Sequence, residues 1–173
     1  MSILISPLSR VRELVVARRP KQIVSLLDPG SGFLEFGPHY AGRHLRLRFH
    51  DIHDPTDGQT MPSATQIVEL LSFLHEWDRD GSILFHCRAG IGRSPAAAFI
   101  AACFLNPDND ENEIALKLRA VACLARPNEV LVRLADDQMR RNGRMSRAIT
   151  VTGRGLPPPN PQEGEPFEFP SAD

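Results

Sequence analysis

Cys87 stands in the stretch HCRAGIGRSP, residues 86–95, with His86 before it, glycines at 90 and 92, and Arg93 and Ser94 closing the run. These residue types in this spacing suit the handling of a tetrahedral anion. Gly90 and Gly92 allow a tight turn and close backbone approach, and a turn of successive inward-pointing N–H groups makes an anion-binding nest. The planar fork of Arg93, six residues after the thiol, can hold two oxygens of a phosphate, which the point charge of a lysine does not. Cationic surroundings and a following helix start favour the thiolate, the nucleophilic form of cysteine. Ser94 can donate a hydrogen bond to that sulfur, which matters most when the sulfur is a leaving group. A cysteine that is only a small core hydrophobe calls for none of this company. That plainer reading is the one for Cys103 and Cys123, which read as members of apolar helical faces.

Stepping outward, SILFH (82–86) after Gly81 reads as a short buried strand, and SPAAAFIAACFL from Ser94 as a helix ending at Asn106-Pro107. The loop of Arg88, Ala89, Gly90, Ile91 and Gly92 therefore joins a strand's carboxyl end to a helix's positive amino end. Open α/β sheets bind ligands at that edge, and helix starts bind anions. The period-two pattern of HLRLRF (44–49) and the apolar runs at 2–6 and 21–27 give three more strands. Helical spacing gives a segment after Pro7 stopped by Pro20, one from Pro62 or Ser63 to about Asp80-Gly81, one over 110–125, and one over about 128–141 capped by Asn128. Residues 28–42 and HDIHDPTDG (50–58) read as loops rich in turn formers. Alternating strands and helices imply an α/β fold, a central mostly parallel sheet flanked by helices on both faces. The sequence divides into a domain over 1–151 and a proline-rich acidic tail over 152–173, read as extended and solvated.

The net charge of −1 offers no global field for nucleic acid, so attraction for an anion must be local. No apolar run is long enough to span a bilayer, and the N-terminus is a poor signal peptide. Three widely spaced cysteines argue against a disulfide framework and lack metal-ligand spacing, which points to a reducing, cytoplasmic setting.

His86, Cys87, Gly90, Arg93 and Ser94 together closely resemble the signature of the cysteine-based protein tyrosine phosphatase superfamily, its dual-specificity branch included. With the FHDI segment (49–52), the Pro62 helix and the AAAFIAAC helix, residues 1–150 resemble a small bacterial branch of that superfamily. The resemblance implies the superfamily's fold, two-step hydrolysis of a phosphorylated protein or peptide through a phosphocysteine, and no metal or other cofactor. It gives Cys87 as nucleophile, Arg93 and the amides of Arg88, Ala89, Gly90, Ile91 and Gly92 as the phosphate cradle, Ser94 as the group easing thiolate departure, and His86 as a support of the loop, bonded to backbone.

Expelling an alkoxide or phenoxide needs an acid. The resemblance implies an aspartate on a loop upstream of the cysteine, just after a strand. Asp51, following the strand ending at Phe49, is the first candidate, Asp54 before a proline the alternative, and Asp57 before Gly58 a turn former. His50, Asp51, His53 and Asp54, with His39 or His44, are a rival metal-ligand set, though such spacing on a loop defines no site by itself. Arg88 is the one loop cation besides Arg93, whereas phosphoinositide phosphatases of this superfamily tend to carry lysines there. A protein phosphatase acting on phosphotyrosine, with phosphoserine and phosphothreonine open to it, is therefore the main expectation. The alternatives are a phosphoinositide or other non-protein phosphate ester, a catalytically silent phospho-binding module, and a rhodanese-type sulfur transferase, against which Arg93 and Ser94 speak.

Overall fold

The side chains of the inner strands alternate between two packed faces, and this alternation organises the molecule. The computed structural model describes residues 2–153, 155 and 163–170. Its strands are β1 (Ser2–Pro7), β2 (Gln22–Leu27), β3 (His44–Arg48), β4 (Ser82–Cys87) and β5 (Phe167–Pro170). They form one sheet in the order β3-β2-β4-β1-β5, in which only the β1–β5 pairing is antiparallel. Ile3, Ile5, Val24, Leu26, Ile83, Phe85 and Cys87 face one apolar layer. Leu4, Ile23 and Leu84 face the other. Both faces are covered, which is why these strands read as continuous apolar runs.

The helices are α1 (Val11–Arg18), α2 (Ala64–His75), α3 (Arg93–Leu105), α4 (Glu111–Val121), α5 (Glu129–Gln138) and α6 (Arg144–Thr152). α1 and a 3₁₀ turn at Pro38–Tyr40 cover the smaller face, with Val11 and Tyr40 buried there. The other five, α3 among them, pack on the larger face, and the α3 run of small residues Ala96–Ala98 and Ala101–Ala102 is fully or nearly fully buried. The expected α/β architecture is thus present.

Several boundaries differ from the sequence expectation, each for a local reason. α2 opens with a reciprocal capping box between Ser63 and Gln66. It ends at His75, before Asp80-Gly81, because Trp77 turns into the core and the Asp78 carboxylate accepts from the Asp80 N–H at 2.9 Å, an Asx turn. α4 stops at Val121, so Cys123 is not on a helical apolar face; it is exposed in the connection to α5. Leu116 is likewise exposed, the buried stripe being Ile114, Ala115 and Leu118.

α6 has no counterpart in the sequence reading. Its cap comes from the preceding helix: the buried Asp136 of α5 accepts from the N–H groups of Gly143 and Ser146, both at 2.8 Å. Nor is the C-terminal segment solvated throughout. Phe167–Pro170 pairs with β1, and Phe169 is 1% exposed in the core. Alternation in FEF supplies the driving force, Phe167 and Phe169 packing inward while Glu168 reaches Arg18 of α1. Residues 154, 156–162 and 171–173 of that segment lie outside the described residues.

Candidate active site

Four parallel strands end on the same edge, and much of the site is built from residues at or just beyond those ends: Pro7 on β1, Asp28 after β2, Phe49 and Asp51 after β3, Cys87 on β4. β4 lies between β1 and β2, with Cys87 in register with Pro7 on one side and Leu26 on the other. This is the crevice position in which parallel sheets bind ligands.

From Cys87 the chain turns through Arg88–Gly92 into α3, whose first residue is Arg93. Gly90 has φ +72°, and a Cβ there would stand 2.9 Å from the Pro7 nitrogen, so both the turn and its closeness to β1 require glycine. Gly92 serves a different purpose: a Cβ there would fall on the Asp51 carboxylate and displace it. The loop carbonyls are held from outside. Arg88 O accepts from Leu8 N at 3.1 Å, Ala89 O from Gly164 N at 2.8 Å, Ile91 O from Arg126 N at 2.8 Å, and Gly92 O from Asn128 N at 3.3 Å. A peptide whose carbonyl is drawn outward turns its N–H the opposite way, so these bonds aim the loop amides at the centre.

The Cys87 thiol is 1% exposed and lies at the floor of this turn. Its Sγ accepts from the Gly90 N–H at 3.2 Å and is 3.1 Å from Ser94 Oγ. Arg93 is 3% exposed. Its Nη1 donates to Asp28 Oδ1 at 2.8 Å and to the Phe49 carbonyl at 2.7 Å. Its Nε is buried and has no hydrogen-bond acceptor among the described residues, with Asp51 Oδ2 at 4.0 Å. The guanidinium is therefore clamped at one end and leaves an N–H of its fork for another acceptor.

Asp51 sits across from Arg93, its Oδ1 accepting from Asn128 Nδ2 at 2.8 Å. Asn128 also donates to Ile52 O at 3.2 Å and caps α5 by accepting from Leu131 N at 2.9 Å. Asp54 is turned elsewhere. With His53 it lines a groove of about 420 Å³ against Glu129, Val130, Arg133 and Thr150. Among the described residues no hydrogen bond or ion pair joins Asp54 to the loop. Sequence reasoning missed Asp28 and the second role of Asn128. Asp28 looked like part of a turn signal, and Asn128 like a helix cap alone.

His86 is fully buried, but it bonds a side chain rather than backbone. Its Nε2 is 2.5 Å from Ser25 Oγ, which is 2.7 Å from His44 Nε2. One hydroxyl proton cannot serve both bonds, so one imidazole must donate. The economical assignment has His86 Nε2–H donating to Ser25 and Ser25 donating to His44, leaving the partnerless His86 Nδ1 as a bare acceptor. Burial, and secondarily its neighbour His44, push His86 down to about 3. Burial, and secondarily Arg46, push His44 down to about 4. The two rings are neutral hydrogen-bonding groups at neutral pH. His50 is likewise committed, its Nδ1 accepting from Thr60 N at 2.8 Å, while His39 packs edge-on to Tyr40. Among the described residues no three His, Cys, Asp or Glu side chains converge as metal ligands. Cys103 is buried in α3, where desolvation raises its thiol.

The fold and this edge define a class: α/β proteins that hold a buried thiol in the turn between a central strand and a buried helix. The protein-tyrosine phosphatase family model matches residues 43–130, spanning β3 through the start of α5, and the chain belongs to that family. Solved structures of the same fold include PTP-2 phosphatase of Cydia pomonella, 19% identical over 79% of this chain and 85% of that one, with a TM-score of 0.58. DUSP15 is 16% identical over 86% of this chain and 90% of its own, with a TM-score of 0.60. The Yvh1 phosphatase domain from Chaetomium thermophilum is 17% identical over 83% and 93%, at 0.56. At these identities the likeness establishes the fold. No curated protein sequence matches the chain significantly. No helix among the described residues is long and apolar enough to cross a membrane.

Proposed function

We propose that the chain is a cysteine-dependent phosphatase that hydrolyses phosphomonoesters on proteins, phosphotyrosine first among them, through a phosphocysteine. The observation that carries this reading is the thiol of Cys87 at the floor of the loop, bonded to Gly90 N–H and Ser94, beneath a clamped Arg93 whose Nε is uncommitted.

In the first step the Cys87 thiolate attacks phosphorus in line. The loop amides and Arg93 hold the equatorial oxygens, where charge builds in the transition state. The P–O bond to the leaving group breaks, and Asp51 gives that oxygen its proton. In the second step the Asp51 carboxylate takes a proton from water, whose oxygen attacks the phosphocysteine. The P–S bond breaks, inorganic phosphate leaves, and Ser94 donates to the departing thiolate. No cofactor enters either step.

Two features support a polypeptide substrate over a polyphosphorylated lipid headgroup. Arg88 is the one cation within the loop besides Arg93. The groove beside the loop mixes His53, Arg126 and Arg133 with Asp54 and Glu129, so further phosphates would meet carboxylates there as well as cations. The test is turnover of a chromogenic aryl phosphate, followed by a panel of phosphopeptides and phosphoinositides, with wild type and Cys87→Ser side by side. Aryl phosphate and phosphotyrosine turnover abolished by the substitution supports the proposal. Oxyanion binding with no turnover by wild type would make the protein a binding module, and a phosphoinositide preference would move the substrate class.

A further inference from the structure

Of the four carbonyl anchors of the loop, three come from segments next to the strand and helices that build the site. The fourth, Gly164 N–H to Ala89 O at 2.8 Å, comes from the far C-terminal segment. The peptide it holds is informative. The N–H of the Ala89–Gly90 peptide is the one that donates to Cys87 Sγ at 3.2 Å. Gly164 thus grips the outer end of the peptide group whose inner end touches the sulfur. Bonds in such a chain polarise one another, and the outer one fixes the plane in which the inner one lies.

Gly164 is itself held firmly. β5 adds to the edge of β1 with Phe167 opposite Ile5 and Phe169 opposite Ile3. Phe169 is sunk in the main core. Ser9 Oγ donates to Glu163 at 2.6 Å, Arg10 pairs with Glu165 at 3.5 Å, and Arg18 pairs with Glu168 at 2.5 Å. The surface pairs contribute little individually; Phe169 supplies the anchor and they set the path. Gly164 also lies flush on the loop, a Cβ there reaching Gly90 O and Ile91 Cγ1 at 3.4 Å, an ordinary contact.

We propose that Glu163–Pro170 is a positioning strap of the phosphate loop, with Gly164 N–H setting the Ala89–Gly90 peptide against the Cys87 sulfur. This rests on the reading of the loop as an oxyanion site, and the test separates the two. In the full chain, Gly164→Pro removes the N–H and Gly164→Ala keeps it. Tungstate affinity by calorimetry, kcat and KM on an aryl phosphate, and hydrogen exchange of the Gly90 amide are measured at equal melting temperature. The expected result for Gly164→Pro is about tenfold weaker tungstate binding and about tenfold lower kcat, the scale of one hydrogen bond, with faster Gly90 exchange. Gly164→Ala is expected to restore all three. Should Gly164→Pro fail to fold, Phe169→Ala frees the strap with Gly164 intact, and the same losses are expected. Unchanged tungstate affinity and Gly90 exchange in the variant without the N–H, or with the strap freed, overturn the proposal. If wild type itself does not bind tungstate, the oxyanion reading fails. Gly90 exchange then decides the strap alone, faster exchange supporting it and unchanged exchange overturning it.

Discussion

Asn128 ties Asp51 to the loop between β4 and α3. Its side-chain amide donates to Asp51 Oδ1 at 2.8 Å while its backbone N–H donates to Gly92 O at 3.3 Å. A residue that reads as a helix cap thus sets the distance between the proposed acid and the proposed phosphate site.

The two roles of Asn128 separate by substitution. Asn128→Ser keeps a side-chain oxygen able to cap α5, serine being comparable to asparagine there, but it lacks the amide that donates to Asp51. Stability by urea unfolding is expected to fall by about 1 kcal/mol or less. The kcat for an aryl phosphate with a poor leaving group is expected to fall about tenfold, a fraction of the acid's whole contribution. Equal kcat in the two proteins would show that Asp51 needs no such support.

Asp51 and Asp54 are three residues apart in sequence, yet only Asp51 faces Arg93 and Asn128. Asp51→Asn is expected to lower kcat by about 10²–10⁴-fold with an unactivated leaving group and far less with an activated one, as loss of a general acid does. Asp54→Asn is expected to leave kcat within about twofold. The reverse ranking would hand the role to Asp54.

Asp28 is the only carboxylate in hydrogen-bond contact with Arg93 among the described residues. Asp28→Ala leaves a buried guanidinium with the Phe49 carbonyl as its one acceptor on Nη1. Stripping one partner from a buried pair costs about 3–5 kcal/mol when both are dry. The Asp28 side chain is 29% exposed, so about 1–2 kcal/mol is the expectation, water replacing part of the bond. Tungstate affinity should drop in parallel as the fork loses its orientation. Unchanged affinity would mean that the Phe49 carbonyl alone holds it.

The imidazoles of His44 and His86 predict an acid-side loss of stability. Both are neutral in the fold, at about 4 and about 3, against 6.5 ordinarily. As pH falls below 6.5 the unfolded chain takes up protons that the native chain refuses, so the unfolded state binds more. Stability therefore rises with pH across this window; it is fully present above the ordinary value and lost progressively towards the folded values. The slope is about 1.4 kcal/mol per pH unit for each fully protonated imidazole. Urea unfolding between about pH 6 and pH 5 should show His44→Gln with a visibly shallower slope than wild type, one proton of the two having been removed. Identical slopes would contradict the neutral pair.

The parts of this molecule legible in its sequence are those whose causes are local. Gly90 and Gly92 around a thiol, an arginine at a fixed interval and an alanine-rich helix announce the loop, because turn geometry and anion charge dictate those types at those places. The alternating HLRLRF likewise announces β3. What could not be read depends on partners outside the local pattern, some of them far along the chain. α6 begins where Asp136 of another helix reaches its N–H groups. β5 exists because β1 offers an edge and the core offers Phe169 a seat, although FEF carried a period-two hint that its prolines masked. Asp28 looked like a turn residue because nothing in DPG reveals that Arg93 arrives beside it.

The central claim is that the Cys87 sulfur becomes covalently bonded to phosphorus during turnover. The direct measurement is intact-mass and peptide mass spectrometry after rapid acid quench with an aryl phosphate. The experiment uses the Asp51→Asn chain, in which the second step lacks its base. The account predicts one phosphoryl adduct, located on Cys87 and absent from Cys87→Ser. Turnover that persists in Cys87→Ser, or an adduct on any other residue, would contradict it.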